Sequence, residues 1–237
     1  MDLEGKVILI TGANSGIGKA TAKLLTEAGM MCLLTARNKE RLDHLAKRLP
    51  GAKVVAGDMI DPALPQRLVD TAMETFGRLD AVFNNAAVMN IGSIEEADLE
   101  ALCSMVRLNF ESVVRMSYVA LRHMKAKGGG FLINTSSLAG LKTFSHLGVY
   151  NGTKFAVEAL TDALRMELAG SGVKAAVVEP GRTNTHLFDH WSEEQKFDPA
   201  QGMLEPEDVA RCVRFMLEQP DEVLIPRLLV MPARQPR

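Results

Sequence analysis

Lys6-Val-Ile-Leu-Ile-Thr11-Gly12-Ala-Asn-Ser-Gly16-Ile-Gly18 is the stretch on which the fold turns. Its first half is a short apolar, β-branched run ending in glycine, which reads as a buried strand. Lys19 to Ala28 follows, and Ile17, Ala20, Leu24, Leu25 and Ala28 recur at helical spacing. Glycines between a strand and a helix permit a tight turn and close backbone approach, and the helix N-terminus offers unpaired N–H groups to a pyrophosphate. The spacing G-x-x-x-G-x-G differs from the G-x-G-x-x-G of the common dinucleotide fingerprint. The plainer alternative is a turn and a helix start with no ligand.

Outward from this stretch the alternation continues. Met30 to Thr35 reads as a second buried strand, and Ala36-Arg37-Asn38 follows it. In a dinucleotide fold an acidic residue here binds the ribose 2′-hydroxyl of NAD, whereas arginine accommodates a 2′-phosphate. No Asp or Glu stands at this strand end, so Arg37 favours NADP(H), with NAD(H) the alternative if Arg37 stacks on adenine or faces solvent. A charged amphipathic helix over 39–49 leads to a third strand over 53–57, then Asp58-Met59. Asp58 could accept from an adenine amino group or cap the next helix. A helix over 63–76 and a strand over 79–83 run into Asn84-Asn-Ala-Ala87. One long helix is expected over 98–125 with Asn109 in its middle, where a polar side chain faces solvent or competes for backbone hydrogen bonds. Strands over 131–135, 174–179 and 222–231 and a helix over 207–218 complete a seven-stranded α/β pattern, a parallel sheet covered on both faces. The aperiodic stretch 182–204, carrying Phe188, Trp191 and Phe197, is a long loop or a lid over a binding site; its place past a strand's carboxyl end favours the lid.

Ser137, Tyr150 and Lys154 carry the chemistry. Tyr150 and Lys154 at i, i+4 share a helix face. A cation within ~4–6 Å favours the phenolate and lowers a tyrosine pKa from ~10, so Tyr150 could trade a proton with an alcohol or carbonyl. Ser137 follows the strand over 131–135, at the edge where open sheets bind ligands. A chance helical pair and a helix-capping serine are the structural alternative.

The 237 residues suit a single large α/β domain. With 27 Lys+Arg against 29 Asp+Glu, the net charge of −2 gives no electrostatic footprint for nucleic acid or anionic membrane. No apolar run approaches the ~18 residues of a membrane helix, and Met1 to Gly5 lacks signal-peptide character. Cys32, Cys103 and Cys212 are odd in number and far apart, which fits the reducing cytoplasm. His186 and His190 are four apart without the glutamate of a metalloprotease helix, so no metal is expected.

With these residues placed, the chain resembles the classical short-chain dehydrogenase/reductases over nearly its whole length. The resemblance rests on Thr11-Gly-x-x-x-Gly-Ile-Gly18, Asp58, Asn84-Asn-Ala, Asn109, Ser137, Tyr150-x-x-x-Lys154 and Pro180-Gly181 with Thr185. It implies a single Rossmann-like, doubly wound domain and a catalytic tetrad of Asn109, Ser137, Tyr150 and Lys154. Tyr150 would be the acid/base and Ser137 would hold the substrate oxygen. Lys154 would bind the nicotinamide ribose and lower the tyrosine pKa, and Asn109 would hold a relay water. It further implies Gly12, Ser15, Ile17 and Gly18 at the cofactor phosphates, Arg37 at the adenosine 2′ position, and Asp58 and Met59 at the adenine. Asn85 would contact the adenosine ribose, and Pro180, Thr183 and Thr185 the nicotinamide. A homodimer or homotetramer through the helices of Asn109 and Tyr150 is implied too.

Two positions depart from the family pattern. Ala87 replaces a usual glycine, where a positive φ would be strained, and Gly152 replaces a common alanine at a helix cost of ~1 kcal/mol. The expected activity is NADP(H)-dependent interconversion of a small or medium apolar carbonyl and its alcohol. Met89, Leu138, Leu141, Phe144, His146, Val149, Phe188 and Trp191 are the candidate pocket residues. The alternatives are a biosynthetic ketoreductase on a carrier-bound or polycyclic substrate, and a dinucleotide-binding regulatory protein without turnover.

Overall fold

The computed structural model describes residues 1–188 and 202–235. β1 (Val7–Thr11) passes through the glycine loop into α1 (Gly16–Glu27), followed by β2 (Met31–Ala36), α2 (Lys39–Ala46), β3 (Lys53–Ala56), α3 (Leu64–Phe76) and β4 (Ala81–Asn84). The second half runs α4 (Leu99–Val106), α5 (Ser112–Lys127), β5 (Gly130–Thr135), α6 (Gly148–Glu167), β6 (Val173–Pro180), α7 (Pro206–Leu217) and β7 (Arg227–Val230). All seven strands pair in parallel, in the order β3-β2-β1-β4-β5-β6-β7. The seventh strand is shorter than the expected 222–231, since Pro226 has no N–H to extend the ladder.

β1 is buried on both faces. Val7 and Leu9 join a core with Leu68 of α3 and Met116 and Ala120 of α5, while Ile8 and Ile10 join Leu25 of α1, Leu42 of α2 and Val213 of α7. This is the period-2 alternation of a strand sandwiched between two helical layers. After β3 the chain returns to the other side of β1. The crossovers diverge there, opening a crevice at the strands' carboxyl ends between β1 and β4.

Polar groups fix that crevice. The hydroxyl of Thr11, the buried last residue of β1, accepts the backbone N–H groups of Asn85 at 2.9 Å and Ala86 at 3.0 Å. One residue earlier, Asn84 Nδ2 donates to Asn134 Oδ1 of β5 at 2.9 Å and to Ser117 Oγ of α5 at 3.2 Å. Asn134 Nδ2 donates in turn to Thr161 Oγ1 of α6 at 2.8 Å. The chain of amides and hydroxyls joins the strand ends to both helices packed behind them.

The expected helix over 98–125 is interrupted by a π turn, Arg107–Glu111, between α4 and α5. Hydrophobic period alone does not reveal one extra residue in a turn. Ala87 carries no strain: His146, at φ 60°, is the one non-glycine residue with positive φ among the described residues. Gly152 lies on the exposed side of α6, where a methyl group would meet no atom within 4 Å.

Gly152→Ala should therefore stabilise the protein by about 1 kcal/mol, raising Tm by about 2–4 °C in calorimetry; an unchanged Tm would mean α6 is not limited by its glycine. Thr11→Val should cost about 1–3 kcal/mol in urea unfolding, because two N–H groups lose their acceptor, while Thr11→Ser should cost far less. Equal losses in the two variants would assign the effect to packing of the methyl group.

Candidate active site

A cleft of about 780 Å³ runs along the carboxyl ends of the strands. At its centre Gly12 and Gly16 take left-handed φ of 65° and 49°, which glycine adopts without steric cost. A Cβ on Gly12 would stand 2.9 Å from Ala86 Cα, so the loop and the β4 exit touch backbone to backbone. Gly18 packs beneath the loop rather than on the cleft wall: a Cβ there would meet Gly12 O at 2.5 Å and Asn85 Nδ2 at 2.8 Å. Ser15 precedes α1 in extended conformation with no side-chain cap bond, and the first turn holds no acidic residue. The N–H groups opening α1 lie at the cleft beside Ser15 and Ile17 with no acidic residue in that first turn, an arrangement that suits a phosphate.

One end of the cleft is lined by Arg37, Asn38, Arg41, Asp58 and Met59. Asn38 Oδ1 accepts the Arg41 N–H at 2.9 Å, capping α2 and bringing Arg41 to the same rim as Arg37. Sequence reasoning passed over Arg41 as one charge on a charged helix; the capping asparagine three residues before it was the available signal. Lys39 pairs with Asp43 at 2.6 Å, whereas neither arginine has a carboxylate partner among the described residues. Asp58 lines the cleft, and its Oδ1 accepts the Ile60 N–H at 3.1 Å in the turn toward α3; it does not cap that helix, whose N-cap is Ala63.

At the other end Ser137, Tyr150 and Lys154 come together. Ser137 Oγ accepts the Ala139 N–H at 3.1 Å and stands beside the Tyr150 phenol, close enough to lower its proton affinity. Lys154 Nζ donates to the Thr135 carbonyl at 2.9 Å and lies 5.7 Å from the Tyr150 ring centroid. Burial decides the proton affinities. The expected lowering of the phenol is not seen in the protein alone: burial pushes Tyr150 up to about 12, the Ser137 hydroxyl opposing it. Burial brings Lys154 down to about 8, with the charge of Glu158 holding it up. The arrangement is a protonated phenol and a hydroxyl directed at one place, with an ammonium behind them.

Asn109 lies in the π turn, buried and away from the cleft wall. Its Nδ2 donates to the Val88 carbonyl at 2.7 Å and its Oδ1 accepts the Val88 N–H at 2.9 Å, so its amide is committed to the segment leaving β4. Asn85, Pro180, Thr183 and Thr185 line the cleft. Thr183 bridges Leu204, which closes the base of the stretch 182–204. Met89, Leu138, Phe144 and Phe188 form apolar wall; Leu141, His146 and Val149 do not line it. Val149 packs behind Tyr150, and Leu141 and His146 are exposed. His190, Trp191 and Phe197 fall outside the described residues. Gln235 was missed: it arrives from the far end of the sequence, accepts the Arg182 N–H at 2.9 Å and joins the wall. Among the described residues no His, Cys, Asp and Glu side chains gather in a metal-holding group, and no helix is long and apolar enough to cross a membrane.

Comparison with known proteins agrees with this geometry. An uncharacterised oxidoreductase of Staphylococcus saprophyticus is 31% identical over 242 residues, which cover 99% of this chain and 98% of that one. Another, from Staphylococcus aureus strain USA300, is 34% identical over 232 residues, 97% and 98% of the two chains. Among solved structures, an alcohol dehydrogenase from the archaeon Thermococcus sibiricus, complexed with 5-hydroxy-NADP, superposes with a TM-score of 0.88 at 27% identity over 98% of each chain. A 3-ketoacyl-(acyl-carrier-protein) reductase from Brucella melitensis, complexed with NADH, gives 0.90 at 28% identity over 99% of this chain and 100% of that one. The sequence profile of the short chain dehydrogenases matches residues 6–196, the span that holds the glycine loop, Ser137, Tyr150 and Lys154. On these grounds the chain belongs to the short-chain dehydrogenase family and is an oxidoreductase.

Proposed function

We propose that this protein interconverts a carbonyl and a secondary alcohol on an apolar small molecule, using a nicotinamide dinucleotide with NADP(H) preferred over NAD(H). The observation that carries the reading is one cleft with Ser137, Tyr150 and Lys154 at one end and, at the other, Arg37 and Arg41, which have no carboxylate partner among the described residues. The solved relatives bound to an NADP derivative and to NADH support the cofactor class.

A bound nicotinamide supplies or accepts the hydride. Tyr150, kept protonated by burial, gives its proton to the carbonyl oxygen during reduction and recovers it from the alcohol in the reverse direction. Ser137 donates a hydrogen bond to the same oxygen. The Lys154 ammonium holds ribose hydroxyls and favours the phenolate left after proton transfer. Asn109, its amide closed on Val88, offers a relay water the backbone of the widened turn. Gly12, Ser15 and Ile17 take the phosphates, with Gly18 giving the loop its close packing. Arg37 and Arg41 clamp the 2′-phosphate, Asp58 and Met59 the adenine, and Asn85 the adenosine ribose. Pro180, Thr183 and Thr185 meet the nicotinamide, and Leu187 and Phe188 cover the substrate end.

Exposed Val106 on α4, Tyr118 on α5 and Phe155 on α6 suit a homodimer or homotetramer through those helices, and three unpaired cysteines suit the cytoplasm. The likeness to a ketoacyl reductase favours, as a second reading, a ketoreductase acting on a carrier-bound substrate by the same proton transfer. Turnover of carrier-bound against free ketones separates the two.

Tyr150→Phe should abolish turnover while cofactor affinity, measured by fluorescence titration, stays within about twofold; substantial remaining activity would sink the proton-transfer role. Arg37→Ala and Arg41→Ala should each weaken NADPH binding about tenfold or more while leaving NADH binding unchanged, the scale of a hydrogen bond to a charged group. A wild-type protein that binds NADH as tightly as NADPH would overturn the 2′-phosphate assignment.

A further inference from the structure

One turn beyond Lys154, α6 carries Glu158 into the protein. Its side chain is only 6% exposed, and neither carboxylate oxygen has a hydrogen-bond partner among the described residues. Glu179 of β6 shares a strand face with Val177, which packs against Val157 of α6; it is 3% exposed, and its Oε1 likewise has no hydrogen-bond partner among the described residues. The two carboxyl groups are close enough for each to alter the other's proton affinity. As two carboxylates neither can donate, and their charges repel at close range. A single proton between them turns one into a donor and the other into its acceptor.

The surroundings provide for one charge. Arg227 of β7 places Nη2 3.6 Å from Glu158 Oε2 and 3.3 Å from Asp162 Oδ2, and Asp162 also takes Arg165 at 3.1 Å. Lys154 and Asp162 on α6 and Arg227 on β7 are the charged groups facing the pair. Ser136, beside Ser137, donates to the Lys154 carbonyl at 3.4 Å. A Cβ on Gly140 would meet Ser136 Oγ at 2.5 Å, Lys154 O at 3.1 Å and Glu158 Cγ at 3.2 Å, so these three residues close around a missing side chain.

We propose that Glu158 and Glu179 share one proton as a buried carboxyl–carboxylate pair whose single charge, one helical turn from Lys154, holds that lysine as an ammonium. They are positioning residues: neither reaches the cleft. The consequence for turnover rests on the role given to Lys154 above; the shared proton does not. Burial pushes Glu179 up to about 7, the Glu158 charge adding to this and Arg227 opposing it, and burial raises Glu158 in the same sense. The unfolded chain releases these protons near ~4.3. Between there and about 7 the native state binds more protons, so the pair's contribution to stability falls as pH rises through this window.

Two measurements independent of turnover test this. In urea unfolding, the stability of wild type relative to Glu179→Gln should fall as pH rises from about 5 to about 8; a constant difference overturns the shared proton. In protein labelled with ¹³C-lysine, the Lys154 Cε resonance should titrate at a midpoint lower by roughly half a unit or more in Glu158→Gln, with Glu158→Asp restoring it. Identical midpoints in wild type and Glu158→Gln overturn the link to Lys154. Should neither glutamine variant fold, wild-type Glu158 and Glu179 carboxyl carbons both titrating near ~4.3 overturn the proposal. Failure to bind any dinucleotide would defeat the functional reading and leave both curves as expected here.

Discussion

The closure of the β1 and β4 carboxyl ends on each other is the constraint from which the rest of the molecule follows. Parallel strands leave N–H and C=O groups unpaired where they stop, and a buried polar group without a partner is costly. Thr11 answers this with one hydroxyl for two N–H groups, and Asn84, Asn134 and Thr161 carry the same solution across to β5 and α6. The polar chain holds the crevice open at a fixed width while apolar packing on both sheet faces supplies the bulk of the stability. Gly12 can then approach Ala86 backbone to backbone, which no larger residue would allow.

The same chain sets the geometry of the chemistry. Thr161 anchors α6 to the sheet at one end, and Lys154 Nζ ties it to the Thr135 carbonyl nearer its start. One turn before the Lys154 anchor, Tyr150 is brought to Ser137 by a helix with little freedom to shift. Rigidity of this kind is what a proton donor needs, since its reach is a hydrogen bond long. Burial then acts on both ionisable groups in opposite senses, raising the phenol and lowering the ammonium. The charge of Glu158 works against the second of these effects.

Much was legible in the sequence because the signals are local. The apolar run of β1, its terminal glycine and the helical period after it are set by backbone sterics within a dozen residues. The i, i+4 spacing of Tyr150 and Lys154 likewise states its own geometry once a helix is granted. Arg41 was not legible in this way: its place on the cleft rim depends on Asn38 capping α2 and on where that helix lies against β2. Gln235 and the π turn around Asn109 lie further from view, one because it crosses the whole chain and the other because one added residue barely disturbs a hydrophobic period.

By itself the sequence determined the alternation of strand and helix, the glycine loop and the candidates for the reacting side chains, since each depends on residues close together in the chain. Tertiary structure alone decided the strand order and the meeting of Ser137 with Tyr150. It also decided the proximity of Glu158 and Glu179 across α6 and β6 and the proton affinities in the cleft. The physical reason is desolvation: how strongly a group holds its proton depends on what surrounds it in space, and those neighbours come from distant parts of the chain.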